Sequence, residues 1–162
     1  MQVLWAPWRM TYIAGPRESG CIFCLAADAT DPRHHLALVQ RPAVVMLNKF
    51  PYTHAHLLVA PRTHVADLSA LSSDESHALM DTLRRAAAVL ADTFHPDGMN
   101  IGMNLGTAAG AGIADHLHFH IVPRWVGDTN FMPMLADVRV MPEHLDATYD
   151  RLRPRFAARA PA

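Results

Sequence analysis

The sequence predicts a single α+β domain whose strands form an antiparallel sheet. Short β-rich segments occur at residues 43–48, 55–60 and 99–103, and a long amphipathic helix separates the second from the third. The order strand, strand, helix, strand, loop, strand is typical of this class. A length of 162 residues with 51% hydrophobic residues is enough for one domain with a sizeable core.

The helix has the clearest local signals. Ser72 and Glu75 have the spacing of a capping box at its start, and residues 96–98, Pro-Asp-Gly, end it. Its apolar stripe consists of Leu79, Leu83, Ala86 and Leu90.

The remaining elements follow from turn residues and from the ends of the chain. Residues 49–54 form the turn between the first two strands, and the glycine- and alanine-rich residues 104–112 lead into the last strand. An N-terminal segment (1–40) and a C-terminal extension (132–162) flank this centre, and together they make one domain over residues 1–162. The arginines near the C-terminus indicate a solvated helix end.

Composition excludes several classes of function. A net charge of −1 with mixed signs argues against nucleic-acid binding. No apolar run approaches the roughly 20 residues of a membrane helix, and no secretory signal is visible. Two cysteines three apart do not make a disulfide framework, so a reducing cytoplasm is the expected setting.

Residues 116–124, His-Leu-His-Phe-His-Ile-Val-Pro-Arg, are the most informative part of the chain. Because side chains alternate along a strand, His116, His118 and His120 should share one face, and the apolar residues between them should face a core. The outer two lie roughly 13 Å apart at about 3.3 Å per residue, so one metal is not expected to bind all three. Nucleophilic or acid–base chemistry, a metal with outside ligands, and a solvated strand face are the alternatives.

Cys21 and Cys24 have the C-x₂-C spacing of a zinc knuckle. The same spacing occurs in redox dithiols, usually within a βαβ pattern that is absent here, and in buried cysteines without a special role. The spacing alone therefore leaves these three interpretations open.

The histidine motif resembles that of the histidine triad superfamily of nucleotidyl hydrolases and transferases. Residues 4–10, 20–24, 47–52 and 123–131 are similar to the bacterial branch that includes diadenosine tetraphosphate phosphorylases. The resemblance implies the HIT-like fold and a homodimer in which the two sheets join.

The resemblance also implies a metal site. Relatives with the cysteine knuckle complete a Cys₂His₂ zinc site, whose ligands here would be Cys21, Cys24, His64 and His116. Two thiolates and Zn²⁺ sum to zero charge, so we expect a closed structural site that ties the N-terminal segment to the catalytic strand.

The same resemblance divides the catalytic roles. His118 would attack the α-phosphorus of a nucleotide and form a covalent nucleotidyl-histidine, which water or inorganic phosphate then cleaves. Such a histidine needs one free nitrogen, with its other N–H held by an acceptor such as a backbone carbonyl. His120 and His56 would donate hydrogen bonds to the phosphate.

Further residues match positions that contact the nucleotide in the family. Asn48 would contact the ribose, Asn104 the phosphate or leaving group, and the backbone at Gly110 and Gly112 the phosphate; turn formation and backbone bending are the alternatives. Phe50 is a candidate for packing on the base, as are Trp125 and Phe131, although packing in the core is favoured for Phe50.

One departure from the family concerns the residues just before the triad. Many relatives carry Gln and Ser or Thr there, where this chain has Ala111, Gly112 and Ile113. The loop fits the phosphorylase-like branch better than the phosphoramidase branch.

The expected function is therefore cleavage of adenine dinucleoside polyphosphates. The alternatives are a purine nucleoside phosphoramidase, a zinc-containing protein that binds nucleotides without cleaving them, and a histidine-rich metal buffer.

Overall fold

The computed structural model of the protein describes residues 20–128 and 141–158. The predictions for residues 4–10, for Phe131 and for parts of the two flanking segments lie outside these ranges.

The predicted fold class is confirmed: the described residues form a five-stranded antiparallel sheet with three α-helices. The strand order is β1-β2-β3-β5-β4, so β1 and β4 are the two edges. The helices are α1 (Ile22–Asp28), α2 (Ser73–Phe94) and α3 (Leu145–Ala158), and the strands are β1 (Ala37–Val39), β2 (Val44–Leu47), β3 (Leu57–Ala60), β4 (Gly98–Met103) and β5 (Phe119–Arg124). The sequence predicted only one main helix, and β1 and α1 were not predicted.

The start of α2 follows the sequence signal. The Ser72 hydroxyl accepts a hydrogen bond from the Glu75 N–H, and the Glu75 carboxylate accepts one from the Ser72 N–H, which makes a complete capping box. The helix ends at Phe94, where His95 adopts the left-handed conformation with φ of 47°. The predicted apolar stripe is buried throughout: Leu79, Leu83, Ala86 and Leu90.

Both faces of the central strands β2 and β3 are covered, although by different elements. One face packs against α2 and α3 in the larger core cluster. The other face carries a smaller cluster that α1 covers through Phe23, which is fully buried. The central strands β2 and β3 are therefore buried at every position and show no alternation of apolar and polar residues.

The histidine strand begins later than the sequence predicted. We expected it to start at His116, but β5 starts at Phe119, because the Leu117 N–H donates to the Val65 carbonyl at 2.7 Å and not to a neighbouring strand. The alternation nevertheless extends into this segment. Leu117 and Ile121 lie in the larger core cluster, while the buried His118 contacts the ring of Phe23 on the other face.

The described helices offer no candidate for a membrane span, since none of them is long and apolar enough.

Candidate active site and metal centre

Four potential metal ligands meet where α1 approaches the segment before β5. Their ligand atoms all lie within 4.8 Å of one another: Cys21 Sγ, Cys24 Sγ, His64 Nδ1 and His116 Nδ1. Cys21 Sγ is 3.1 Å and Cys24 Sγ is 3.7 Å from His116 Nδ1, and the two Nδ1 atoms are 3.2 Å apart. The cluster joins residues that are almost 100 positions apart in the chain.

The geometry of this cluster fits a small tetrahedral ion. Zn–S bonds of about 2.3 Å and Zn–N bonds of about 2.0–2.1 Å place tetrahedral ligand atoms roughly 3.3–3.8 Å apart. Three of the distances here lie close to that range, between 3.1 and 3.7 Å. The Cys₂His₂ group can therefore hold a metal ion of this kind.

The surroundings of the ligands orient them for metal binding. The Nε2–H of His116 donates to the Pro61 carbonyl at 3.0 Å, so its Nδ1 carries the lone pair that faces the cysteines. His64 Nε2 lies 3.7 Å from an oxygen of Asp115. Burial, followed by the neighbouring Cys21, raises the pKa of the Cys24 thiol, so metal binding must displace a proton there.

His118 has the arrangement that a nucleophilic histidine requires. The side chain is buried, and its Nδ1–H donates to the backbone carbonyl of His116 at 2.9 Å. The tautomer follows from this acceptor: Nε2 carries the lone pair, and it has no hydrogen-bond partner within residues 20–128 and 141–158. The rings of Phe23 and His120 flank it, each with its centroid 4.9 Å away.

A chain of hydrogen bonds runs from the β2–β3 turn to His120. The Tyr52 backbone N–H donates to Nδ1 of the fully buried His56 at 3.1 Å, so the proton of this imidazole is on Nε2. His56 Nε2 is 3.0 Å from His120 Nδ1 and donates to it. The remaining proton of a neutral His120 is then on Nε2.

The surroundings of His120 favour its neutral form, which the hydrogen bond from His56 requires. Burial, and secondarily the positive charge that His118 can carry, lower the pKa of His120 below its ordinary value of 6.5. At neutral pH its Nδ1 therefore retains the lone pair that accepts from His56.

Two of the predicted nucleotide contacts, Asn48 and Phe50, lie in the β2–β3 turn beside His56, with mixed surroundings. Turn formation was the alternative to the predicted contact of Asn48 with ribose, and Asn48 does form a turn: its side-chain oxygen accepts a hydrogen bond from the Phe50 N–H at 2.9 Å. Its side-chain amide nitrogen lies 3.3 Å from His56 Nδ1. Phe50 is 63% exposed, so the prediction that it packs in the core is wrong. Its contact with a base stays a prediction.

The loop before the histidines contains the other predicted contacts. The Asn104 amide lies 3.4 Å from the Gly110 carbonyl, which holds the loop together. Gly110 has φ of 87°, a backbone conformation that glycine adopts without strain. Gly112 is exposed. Trp125 lies beside the His54 ring, with the centroids 6.1 Å apart.

Two aromatic residues belong to the site although the sequence did not single them out. The Tyr52 ring stacks on His120 at 5.8 Å and contacts His56 at 4.6 Å. Phe23, between the two cysteines, contacts the rings of both His116 and His118. Both lie in segments that resemble the family, Phe23 in residues 20–24 and Tyr52 in residues 47–52, and this was the available signal. The sequence of these segments does not indicate which way an aromatic side chain points.

The fold and the histidine arrangement define the class of this protein. A model of the HIT domain family matches residues 33–126, more than half of the chain, and the chain belongs to that family. Among characterised relatives, it is 35% identical to the AP-4-A phosphorylase of Mycobacterium tuberculosis over 166 residues, which cover 97% of this chain and 85% of that protein.

Solved structures agree with this assignment. A Zn-bound histidine triad family protein from Mycobacterium smegmatis superposes with a TM-score of 0.65 at 29% identity, covering 86% of this chain and 94% of that one. A hypothetical histidine triad nucleotide-binding protein from Sulfolobus tokodaii superposes with a TM-score of 0.68 at 24% identity, covering 85% of this chain and 93% of that one, which supports the fold.

Proposed function

We propose that the protein cleaves adenine dinucleoside polyphosphates through a covalent nucleotidyl-histidine on His118. The observation that carries this proposal is the hydrogen bond from His118 Nδ1–H to the His116 carbonyl, which leaves the Nε2 lone pair without a protein partner among the described residues. The similarity to an AP-4-A phosphorylase over nearly the whole chain supports diadenosine tetraphosphate as the substrate.

The reaction has two displacements. His118 Nε2 attacks the α-phosphorus of diadenosine tetraphosphate, and the P–O bond to the leaving ATP breaks as the N–P bond forms. Inorganic phosphate then attacks the AMP–histidine and releases ADP, or water attacks and releases AMP. The lone pair returns to Nε2 in either case, so the enzyme is regenerated.

His56 and His120 would stabilise the negative charge that develops on the phosphate oxygens. The Nε2–H of His120 is the donor to the phosphate, and the hydrogen bond from His56 fixes which nitrogen of His120 carries that proton. Both ring nitrogens of the buried His56 contact protein atoms, so we propose that it acts through His120.

The metal centre would have a structural role. We propose that Cys21, Cys24, His64 and His116 hold zinc, which their geometry and the Zn-bound relative support. Zinc held by these four residues would fix α1 and Phe23 against the histidines, and no chemical step would require it. The free thiols of both cysteines suit this role.

A second copy of the chain is expected to pair along β4. This strand is an edge of the sheet without a strand on its outer side among the described residues, and Ile101 on it is 47% exposed. Light scattering should report a dimer for the wild type and a smaller species for Ile101→Asp. A monomeric wild type would remove this part of the proposal.

The central test combines product analysis with detection of the intermediate. Diadenosine tetraphosphate should yield ADP and ATP with inorganic phosphate, and AMP and ATP without it. Intact-mass spectrometry after brief exposure to substrate should show an AMP adduct that maps to His118. The matched control is His77→Asn, because His77 is exposed on α2.

The outcomes separate the alternatives. His118→Asn should lose both turnover and adduct, while His77→Asn should keep both; full turnover by His118→Asn refutes the assignment. Faster cleavage of an adenosine phosphoramidate than of the dinucleotide would indicate a phosphoramidase. Nucleotide that binds and remains intact would indicate a binding protein.

A further inference from the structure

A cavity of about 470 Å³ opens at the β1 edge of the sheet, where the last turns of α3 cross β1 and α2. Three arginines line it, Arg41, Arg85 and Arg153; Leu38 and Phe156 also border it, but their side chains are fully buried in the larger core cluster. Among residues 20–128 and 141–158, no aspartate or glutamate lines the cavity, and none of the histidines of the candidate active site does. It lies at the opposite edge of the sheet from β4.

Two of the arginines are held in place by single contacts to the backbone. Arg153 Nη1 donates to the Leu38 carbonyl, and Arg85 Nη2 donates to the Phe156 carbonyl while its guanidinium lies 5.8 Å from the Phe156 ring centroid. A guanidinium has five N–H donors, so most of them remain without a partner among the described residues. Arg85 Nε is buried and unsatisfied.

The absence of a carboxylate partner distinguishes these arginines from others in the described chain. An aspartate or glutamate pairs with each of Arg33, Arg62, Arg84, Arg124 and Arg151. The arginines of the cavity have no such partner in residues 20–128 and 141–158. Three positive charges therefore share one cavity without a compensating negative charge among these residues.

We propose that this cavity is a second ligand site, which binds a small molecule that carries a multiply charged phosphoryl group. Fixed guanidiniums bind phosphate oxygens through paired, charge-assisted hydrogen bonds. The volume lies in the range of about 300–1,000 Å³ that small-molecule sites occupy. The site is independent of the proposed chemistry at His118.

The test uses inorganic pyrophosphate as the probe of the anion-binding part. Calorimetric titration of the full-length protein is carried out with saturating AMP present, so that the histidine site is occupied. We expect one pyrophosphate per chain, weakened at least about tenfold by Arg85→Gln or Arg153→Gln. The matched control is Arg84→Gln: Arg84 is the neighbouring residue on α2, is exposed and pairs with Asp81, so its loss should leave the affinity unchanged.

A third variant protects the test against loss of folding. Arg41 is exposed and makes no side-chain hydrogen bond within residues 20–128 and 141–158, so Arg41→Gln should fold normally and still weaken the binding of pyrophosphate. Absence of binding to the wild type would overturn the proposal. Equal affinity in the wild type and in all three cavity variants would also overturn it, since the ion would then bind elsewhere.

Discussion

His56→Phe tests the hydrogen-bond chain behind His120. The substitution keeps an aromatic ring of similar size in a fully buried position, where it can still pack on Tyr52 and His120, but it removes both nitrogens. The Nδ1 of His120 then loses its donor at 3.0 Å, and the Tyr52 N–H loses its acceptor at 3.1 Å.

The expected loss can be worked out from these contacts. A hydrogen bond contributes about 0.5–1.5 kcal/mol net, and leaving a buried partner unsatisfied costs about 1–3 kcal/mol. The hydrogen bond from His56 should act mainly when negative charge develops on the phosphate, so its loss should reduce the stabilisation of the transition state by about 1–3 kcal/mol. The value of kcat for cleavage of diadenosine tetraphosphate should therefore fall by about 5- to 160-fold. KM should change little, because His56 would not touch the substrate.

The assay is a double-mutant cycle on steady-state kinetics, with folding checked by circular dichroism. In a His120→Ala background, His56→Phe should have almost no further effect, because the residue through which it acts is already absent. If the two losses are additive, or if His56→Phe alone retains kcat within twofold of the wild type, His56 does not act through His120. A rise in KM alone would instead indicate direct contact with the nucleotide.

Three further predictions concern the support of the site. Phe23→Ala should lower the free energy of unfolding by about 3–5 kcal/mol in denaturant titrations, because Phe23 is fully buried, whereas Ile22→Ala, at a residue 39% exposed, should cost much less; equal losses would contradict the packing described. Removal of metal by a chelator, or Cys24→Ser, should lower the melting temperature and release bound zinc, and a metal-free wild type with unchanged melting would refute the structural role. Hydrogen bonds from Thr63 and then Ser72 lower the pKa of Glu75 from 4.5 to about 2, so the stability they provide is present above pH 4.5 and is lost as the pH falls towards 2. Glu75→Gln should lack this component, and identical acid titrations of the two proteins would contradict it.

The parts of the fold predicted from sequence are those with strong local signals. The capping box at Ser72 and Glu75 places the start of α2, and the apolar stripe places the face it buries, because both depend on residues within a few positions of each other. The predicted regions 43–48 and 55–60 contain β2 and β3, and region 99–103 covers all of β4 except Gly98, for the same reason. The four metal ligands could be proposed together only through the resemblance to a family.

Other features depend on contacts that local sequence does not encode. The three-residue strand β1 carries too short a pattern to detect, and it is stabilised by pairing with β2 and by α3, which is distant in the chain. Phe50 is apolar, yet it lies on a turn outside the sheet, which explains why the prediction of core packing failed. The start of β5 was misplaced because the Val65 carbonyl competes for the Leu117 N–H.

The acceptor that sets the tautomer of His118 is a peptide carbonyl, and this has a consequence for mutational robustness. Every amino acid at position 116 has a backbone carbonyl, so no substitution at this position removes the acceptor of the His118 hydrogen bond. His116 supplies both the proposed metal ligand and this acceptor, but only the ligand is a side-chain atom. Variants of His116 should therefore separate two properties, since they can lose metal while His118 remains in the chemically competent tautomer.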